Sequence, residues 1–249
     1  MIYWITAGFV NSRILKNAWP VLYHRRFLFG NQHWFLDNHY PLRREQNKAE
    51  ILSLCEKFDV RYLDCEGDFG FPATFNKWFD LIEPEDTDII ITVDGNCRPK
   101  EFAWDHALVR ALQDPKIAVA ALWNIALDQK IHRGELRLDE VRVSQGVRYC
   151  IHPSVEMFKI AGWSAGFIRK AGGMKQLWKY YGGVESAMFS EWTKQKLHLA
   201  YLPDFHDEFG WMTPDLEDPL LREWKNAHLT GYAGSFKEWL IGAGYSALL

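Results

Sequence analysis

Short apolar runs recur through the first half of the chain, each followed by a turn or an amphipathic stretch. The runs are rich in β-branched and aromatic side chains, which is typical of strands. The predicted strands cover residues 2–6, 33–38, 60–65 and 87–94. The last of these runs is apolar almost throughout, which favours burial on both faces of a parallel sheet.

Stretches with apolar residues at helical spacing separate these strands. The predicted helices cover residues 12–19, 42–58, 72–82 and 101–112, and a fifth strand covers 117–123. Pro20 is expected to interrupt the first helix or to begin another, whereas Pro72 suits the first turn of the third. Alternating strands and helices predict right-handed crossovers and an α/β fold, a single nucleotide-binding Rossmann-like domain with a mostly parallel central sheet.

The second half of the chain is less regular. Its predicted elements are a hairpin or edge strands at 130–144, a helix at 184–196, a strand at 198–203, a polar-aromatic loop at 204–211 and a helix at 235–249. No repeat or linker divides the sequence, so we expect one domain over residues 1–249. Residues 1–100 would form its nucleotide-binding half, and residues 101–249 would supply the acceptor-side and catalytic elements.

Composition narrows the class of protein. Hydrophobic residues make up 48% of the chain and the net charge is −3, which disfavour wholesale disorder and nonspecific polyanion binding. The four cysteines form no C-x-x-C pair and suggest free thiols in a reducing compartment. The start resembles a strand more than a signal peptide, and the apolar stretch 117–127 is too short to cross a bilayer. We therefore expect a soluble, cytoplasmic protein.

Aromatic residues are abundant, with 12 Trp, 10 Tyr and 16 Phe. Most are expected to build the core, including Trp163, Trp211 and the cluster at 178–181. Some could instead stack on sugars or bases, and composition alone leaves both roles open.

The turn after the fourth strand combines Asp94, Gly95 and Asn96. An ordinary Asp-Gly turn would explain these three residues by themselves. However, Asp37 and Asp64 also end predicted strands, and ligands bind beyond the carboxyl ends of parallel strands. Two oxygen-bearing side chains around a glycine can hold a divalent cation or approach a ribose closely. The turn is therefore a candidate ligand site.

The order of several segments resembles the family 2-like glycosyltransferases of the A-type fold. These segments are Asp37-Asn38, a glycine-rich loop leading to Ala73 and Asn76, "DGNCRP" (94–99), "AGWSAGFIRKAGG" (161–173), "GGVESAMF" (182–189) and "KLHLAYLP" (196–203) followed by His206. Together they span residues 2–208 in the order that the family has. Each segment is a weak signal, and their order is more specific than any one of them.

The resemblance implies transfer of a sugar, expected to be UDP-linked, from a nucleotide donor to an acceptor hydroxyl. It implies donor-binding roles for Thr6, Asp37, Asn76, Asp94 and Gly95. Glu185 matches the family's general base, although a place in the first turn of a helix would also explain an acidic residue there. With one base and no protein nucleophile, the reaction would invert the anomeric centre.

The resemblance also implies a divalent cation, Mn²⁺ or Mg²⁺, held by Asp94, Asn96 and His206. Asn96 stands where the family usually has a second aspartate, and a neutral amide binds a cation less tightly than a carboxylate. The family's usual arginine after the acidic motif is also missing, since Glu191 and Trp192 occupy those positions.

The acceptor is open at this point. A glycan is the main expectation, and a hydroxylated DNA base is a minority alternative that the pairs Arg25-Arg26, Arg43-Arg44 and Arg98-Lys100 could help to steer. A noncatalytic carbohydrate-binding module is an alternative class, but it would need no strand-end acids. A nucleotidyltransferase is another, although "TAGFVNSR" (6–13) is a poor match to a triphosphate-binding loop.

Overall fold

The computed structural model describes residues 1–8, 12–67, 70–137, 141–151, 159–175, 184–208 and 219–249 of the 249-residue chain. The described strands are β1 (Ile2–Gly8), β2 (Gln32–Asp37), β3 (Val60–Asp64), β4 (Ile89–Val93), β5 (Arg98–Pro99), β6 (Ile117–Trp123), β7 (Arg142–Ser144), β8 (Val147–Ile151), β9 (Ile160–Ser164) and β10 (His198–Glu208). The described helices are α1 (Ser12–His24), α2 (Arg44–Phe58), α3 (Phe71–Ile82), α4 (Trp104–Ala111), α5 (Ile125–His132), α6 (Ala165–Ala171), α7 (Val184–Lys194), α8 (Pro219–Leu229) and α9 (Phe236–Gly242). A short 3₁₀ helix covers Ser246–Leu248.

A mostly parallel sheet forms the centre of the fold, as predicted. Its strands lie in the order β3-β2-β1-β4-β9-β6-β10-β8-β7, and β5 pairs separately with the far end of β10. The first four are parallel to one another, and β10 is parallel to β6. The exception at the centre is β9, which is antiparallel to both β4 and β6. This inserted strand begins at the edge where β4 ends, and it therefore brings a distant segment to that edge.

Apolar side chains cover both faces of the sheet. On one face Tyr3 and Ile5 pack with Trp78 of α3, and on the other Trp4 packs with Trp19 of α1. Six tryptophans are among the largest fully buried side chains, namely Trp4, Trp19, Trp78, Trp104, Trp123 and Trp163. The aromatic surplus is thus largely core, as expected for Trp163. Trp211 and residues 178–181 lie outside the described residues.

Helix α1 corrects the prediction that Pro20 interrupts it, because the helix continues to His24 with Pro20 inside. A proline within a helix costs ~3 kcal/mol or more. Burying Trp19 and Leu22, which are almost fully enclosed, contributes ~1.5–3 kcal/mol for each side chain. Packing on both sides of the proline therefore offsets the lost hydrogen bond.

Two further predictions in the second half were wrong in extent. The hairpin placed at 130–144 is displaced, because α5 reaches His132 and the hairpin is formed by β7 and β8. Residues 204–208, predicted as loop, continue strand β10 to Glu208. They do so because Asp207 and Glu208 find partners in β5, a pairing that local sequence does not show.

The C-terminal helices α8 and α9 pack against the loop after β2. Leu221, Trp224 and Phe236 form a small core with Tyr40 and Leu42 of that loop. Helix α9 covers only the first part of the helix predicted at 235–249. None of the described helices combines the length and the apolar character that crossing a bilayer requires.

The described cysteines match the expectation of free thiols. Cys55, Cys65, Cys97 and Cys150 are all buried and unbridged. Burial raises the pKa of Cys55 and of Cys65 to about 12, so neither is a reactive thiolate near neutral pH.

Candidate functional site

The acids that end the parallel strands lie along one edge of the sheet. In the parallel register Gly8 is opposite Asp37, and Asp37 is opposite Asp64. Asp94 follows the last residue of β4, the strand on the other side of β1. The register thus places Asp37, Asp64 and Asp94 at the carboxyl-terminal rim, where such sheets bind ligands.

Asp37 lies in a network that saturates its carboxylate. Its side chain is 1% exposed, and Oδ2 accepts hydrogen bonds from the Arg44 guanidinium (2.6 Å) and from the Tyr62 hydroxyl. Oδ1 accepts from the backbone N–H of His39 (3.0 Å). Burial, together with the charge of Asp37, raises the pKa of Tyr62, which remains a hydrogen-bond donor.

The neighbouring Asp64 is saturated in the same way. Lys48 Nζ lies 2.8 Å from Oδ2, and the His39 imidazole bonds to Oδ1. Partial burial alone would raise the pKa of the Asp64 carboxyl, but the hydrogen bonds from Lys48 and His39 hold it well below its usual range. We refer to Asp37, His39, Arg44, Lys48, Tyr62 and Asp64 as the Asp37 cluster.

Two other residues with predicted donor-binding roles have partners inside the protein. Thr6 is fully buried, and its hydroxyl lies 2.9 Å from Nε2 of His33. Asn76 bonds to the backbone of Met174 through both ends of its amide, at 2.9 Å and 2.8 Å. These contacts fix β1 and α3 in place, and the donor-binding roles of Thr6 and Asn76 stay predictions.

Asp94 lies opposite Lys159, the residue that precedes β9. Val93 pairs with Ile160 in the antiparallel register, and the Asp94 N–H donates to the Lys159 carbonyl (2.9 Å). This register brings Lys159 Nζ to 2.6 Å from Oδ2 of Asp94. The Asp94 side chain is 45% exposed and the Lys159 side chain 20%, so the pair lies at the surface of the rim.

The C-terminal end of β10 pairs with β5, next to the Asp94 turn. Asp207 pairs with Pro99, and the Lys100 N–H donates to the carbonyl of His206 (2.9 Å). Asp207 is 5% exposed, and neither of its carboxylate oxygens has a hydrogen-bond partner among the described residues. Burial raises the pKa of Asp207 to about 7, and the charge of Asp94 raises it further, while the charges of Lys159 and Lys100 and the nearby backbone N–H of Lys159 lower it. The charges of Asp94 and Lys159 therefore act directly on Asp207, and we call these three residues the Asp94 cluster.

The remaining members of the predicted metal site have other contacts. His206 Nδ1 lies 3.0 Å from Oε1 of Glu101, and Asn96 Oδ1 accepts from Cys97 Sγ (3.5 Å). Gly95 is buried and has no positive φ, so the turn does not require a left-handed residue there. Within the described part of the chain, no three His, Cys, Asp or Glu side chains converge closely enough to hold a metal.

The predicted base, Glu185, lies in the first turn of α7. Its side chain is outside the part of the chain that the structure describes, so its distance from the rim and its catalytic role stay predictions.

Comparison with known proteins gives a match in structure alone. No family model matches the sequence, and no curated protein matches it. Among solved structures, the chain is similar to the mannosyltransferase PcManGT from Pyrobaculum calidifontis in complex with GDP-Man and Mn²⁺, with a TM-score of 0.65 and 11% identity. The match covers 98% of this chain and 68% of that one.

A second solved structure is GalNAc-T7 with UDP, GalNAc and Mn²⁺. The TM-score is 0.59 and the identity 10%, over 83% of this chain and 43% of that one. This chain thus spans less than half the length of GalNAc-T7. At these identities the likeness establishes architecture, since unrelated activities share folds.

The fold is that of the A-type glycosyltransferases. The expected α/β architecture with a mostly parallel central sheet is therefore confirmed, whereas the β3-β2-β1-β4 order and the inserted antiparallel strand come from the structure.

Two residues of this glycosyltransferase-type rim, Lys159 and Asp207, were not predicted from the sequence. Lys159 reaches the rim only through the pairing of β4 with β9. Asp207 had a weak signal in the alternation of "YLPDFHDE", which continues the strand pattern beyond Pro203.

Proposed function

We propose that this protein transfers a sugar from a nucleotide-sugar donor to an acceptor hydroxyl. The observation that carries the proposal is the Asp94 cluster at the carboxyl rim of an A-type fold. There, a buried carboxylate without a described partner lies beside an exposed one. Buried polar groups are normally hydrogen-bonded, so an exception at a ligand-binding rim supports a binding role.

Asp37 would contribute to donor binding by orienting Arg44 and Tyr62, which donate hydrogen bonds to it. Because its own carboxylate is 1% exposed, the base or ribose of the donor would meet Arg44 and Tyr62 before it met Asp37. Arg44 is partly accessible, at 18% of its side chain. In this arrangement Asp37 is a positioning residue for the nucleoside end of the site, and a UDP-linked donor remains our proposal.

A divalent cation, Mn²⁺ or Mg²⁺, would have two carboxylate ligands at the rim. Both solved structures named above contain Mn²⁺, which supports proposing one here. Asp94 and the unpartnered Asp207 would hold it, with Asn96 as a neutral neighbour. Mg²⁺ commonly binds through one or two carboxylates together with substrate phosphates, so a dedicated protein cage is not required. When bound, the cation would supply positive charge for the departing diphosphate.

Glu185 is proposed as the general base that takes the proton from the acceptor hydroxyl. One base and no covalent intermediate would give inversion at the anomeric carbon. The acceptor is proposed to be a glycan. A hydroxylated DNA base remains the secondary candidate, with Lys100 exposed beside the rim as one residue able to meet a polyanion.

The first experiment is a thermal-shift screen of nucleotide sugars, with the free nucleotides as controls. A bound donor raises the melting temperature, because it binds the folded state only. A shift with one base and one sugar would name the donor and support a transferase. The absence of any shift across UDP-, GDP- and ADP-linked sugars, alongside binding of free glycans, would favour a carbohydrate-binding module.

Asp94→Ala tests the donor site directly. We expect it to weaken binding of the nucleotide sugar found in the screen, measured by calorimetry with and without Mn²⁺. The loss should be larger with Mn²⁺ if Asp94 holds a cation. Equal affinity of the variant and the native protein in both conditions would remove Asp94 from the site.

Glu185→Gln tests the base. The variant should keep donor affinity and lose ~10²–10⁴-fold in turnover, the usual contribution of a positioned base. Glu191→Gln is the matched control, since Glu191 lies on the same helix but pairs with Lys175 and Lys194. Unchanged turnover in Glu185→Gln would exclude Glu185 as the base.

A further inference from the structure

Lys159 forms an ion pair with the carboxylate of Asp94, which a divalent cation would need as a ligand. Its ammonium lies 2.6 Å from Oδ2 of Asp94, and its charge also acts on Asp207. The backbone bond from Asp94 to Lys159 and the pairing of β4 with β9 fix the two chain segments together. The side chain, in contrast, is a flexible four-carbon stem that can move its charge without moving the strand.

The charges of the cluster are not balanced by Lys159 alone. The close bond of the Lys159 ammonium goes to Asp94, the exposed one of the two carboxylates, while Lys159 and Lys100 act on Asp207 through their charge. Asp207 is buried, and neither of its oxygens has a described partner. An unsatisfied buried carboxylate is costly, so the cluster retains a place for more positive charge.

We propose that Lys159 is an internal cation of the donor site, which competes with a divalent cation for Asp94 and, once displaced, binds the diphosphate of the donor. Without metal, the ammonium neutralises Asp94. With metal, Asp94 and Asp207 would hold the incoming ion, and Lys159 would turn to a phosphate oxygen, for which an ammonium with three donors is suited. No covalent bond changes in this exchange.

The proposal deepens the proposed function, and only its nucleotide part rests on that function. Competition for Asp94 can be measured with Mn²⁺ alone, in the absence of nucleotide, sugar or turnover. Binding of UDP or GDP at saturating Mn²⁺, where the proposal has Lys159 displaced from Asp94, then measures the contribution of Lys159 to the diphosphate.

The test compares Lys159→Met with the native protein. Removing the competing charge should tighten Mn²⁺ binding by about two- to fivefold, as followed by electron paramagnetic resonance of free Mn²⁺. The same variant should bind UDP or GDP more weakly at saturating Mn²⁺, by calorimetry, because it lacks the ammonium that would meet the diphosphate. These opposite signs matter, because a variant that merely distorted the rim would weaken both.

Control variants separate charge from shape. Lys159→Arg keeps the charge and should leave Mn²⁺ affinity close to that of the native protein, and Lys159→Gln should reproduce Lys159→Met with a polar side chain. Lys100→Met is a graded control, since Lys100 acts on Asp207 through its charge but forms no described ion pair with Asp94, so it should change Mn²⁺ affinity less than Lys159→Met does. Asp207→Asn should weaken Mn²⁺ binding.

Several outcomes would overturn the proposal. Unchanged or weaker Mn²⁺ binding in both Lys159→Met and Lys159→Gln would exclude competition, as would no detectable Mn²⁺ binding in any variant. Tighter Mn²⁺ binding with unaltered UDP and GDP affinity would exclude the diphosphate role. If no nucleotide binds the native protein, the proposed function fails, while the Mn²⁺ result still decides the competition.

Discussion

Two groups of acidic side chains lie on the same rim of the sheet and differ in how they are satisfied. In the Asp37 cluster, both carboxylates have close cationic partners, and Asp37 adds a tyrosine and a backbone N–H. In the Asp94 cluster, the described ion pair of Lys159 goes to Asp94, and the oxygens of the buried Asp207 have no hydrogen bond from a described side chain. The first arrangement satisfies its carboxylates within the protein, whereas the second is the one that we propose to bind a cation.

The largest expected effect is on the Asp37 side. Asp37→Asn would leave the largely buried Arg44 guanidinium without its charged partner, and breaking such a pair typically costs ~3–5 kcal/mol. Urea unfolding followed by tryptophan fluorescence measures the free energy of unfolding. A loss below about 1 kcal/mol would mean that the cluster is no more than a surface ion pair.

The same chemical change on the Asp94 side should have the opposite sign. Asp207→Asn removes a buried charge that has no described hydrogen-bond partner, so we expect the protein to gain ~1–3 kcal/mol at about pH 8. Asp204→Asn is the control, because Asp204 is exposed and pairs only with Arg148 among the described residues. Destabilisation by Asp207→Asn would show that Asp207 has a partner in the folded protein and would remove the contrast.

His33 is buried like Asp207 but has hydrogen-bond partners, so it shows the effect of burial by itself. It is buried, yet it bonds to Thr6 (2.9 Å) and to the Tyr23 hydroxyl (2.5 Å). Burial, with a smaller contribution from Arg26, lowers the pKa of His33 from 6.5 to about 3. Between these two values the unfolded chain binds a proton that the folded protein does not, so stability falls as the pH falls below 6.5.

The expected slope from His33 is about 1.4 kcal/mol per pH unit in that window. His33→Gln should remove this component, which is measured as the difference between the two proteins in unfolding free energy from neutral to mildly acidic pH. Parallel curves for the two proteins would contradict a neutral, buried His33. The expected slope would show that a buried group with neutral hydrogen-bond partners stays uncharged in the folded protein without binding a ligand.

The smallest effect should come from Asp64→Asn. Asp64 pairs with Lys48 and bonds to the His39 imidazole, but its side chain is 33% exposed and solvent screens the interaction. We expect a loss below about 1 kcal/mol in the same urea experiment. A loss as large as that of Asp37→Asn would mean that the cluster acts as one cooperative unit.

The strand-end acids could be predicted because the relevant signal is local. Apolar runs end at Asp37, Asp64 and just before Asp94, and parallel strands place their ends at one edge. The helical spacing of Phe75, Trp78 and their neighbours likewise predicted that one face of this helix packs in the core.

The residues missed from the sequence depend on pairing between distant segments. Nothing around Lys159 shows that it will lie opposite Asp94, since that follows from the antiparallel register of β9. Similarly, residues 204–208 read as a loop until β5 provides a partner strand. Helix α8 is a different case, because the spacing of Leu221 and Trp224 is helical and is visible in the local sequence.

The contact of Tyr40 and Leu42 with Trp224 and Phe236 joins segments that are far apart along the chain. Closing so long a loop is entropically unfavourable, so we expect this contact to form after the strands have assembled. An intermediate with a finished sheet and undocked helices would leave the segment beside Asp37 uncovered. The end of the rim at Asp37 would then form later in folding than the end at Asp94.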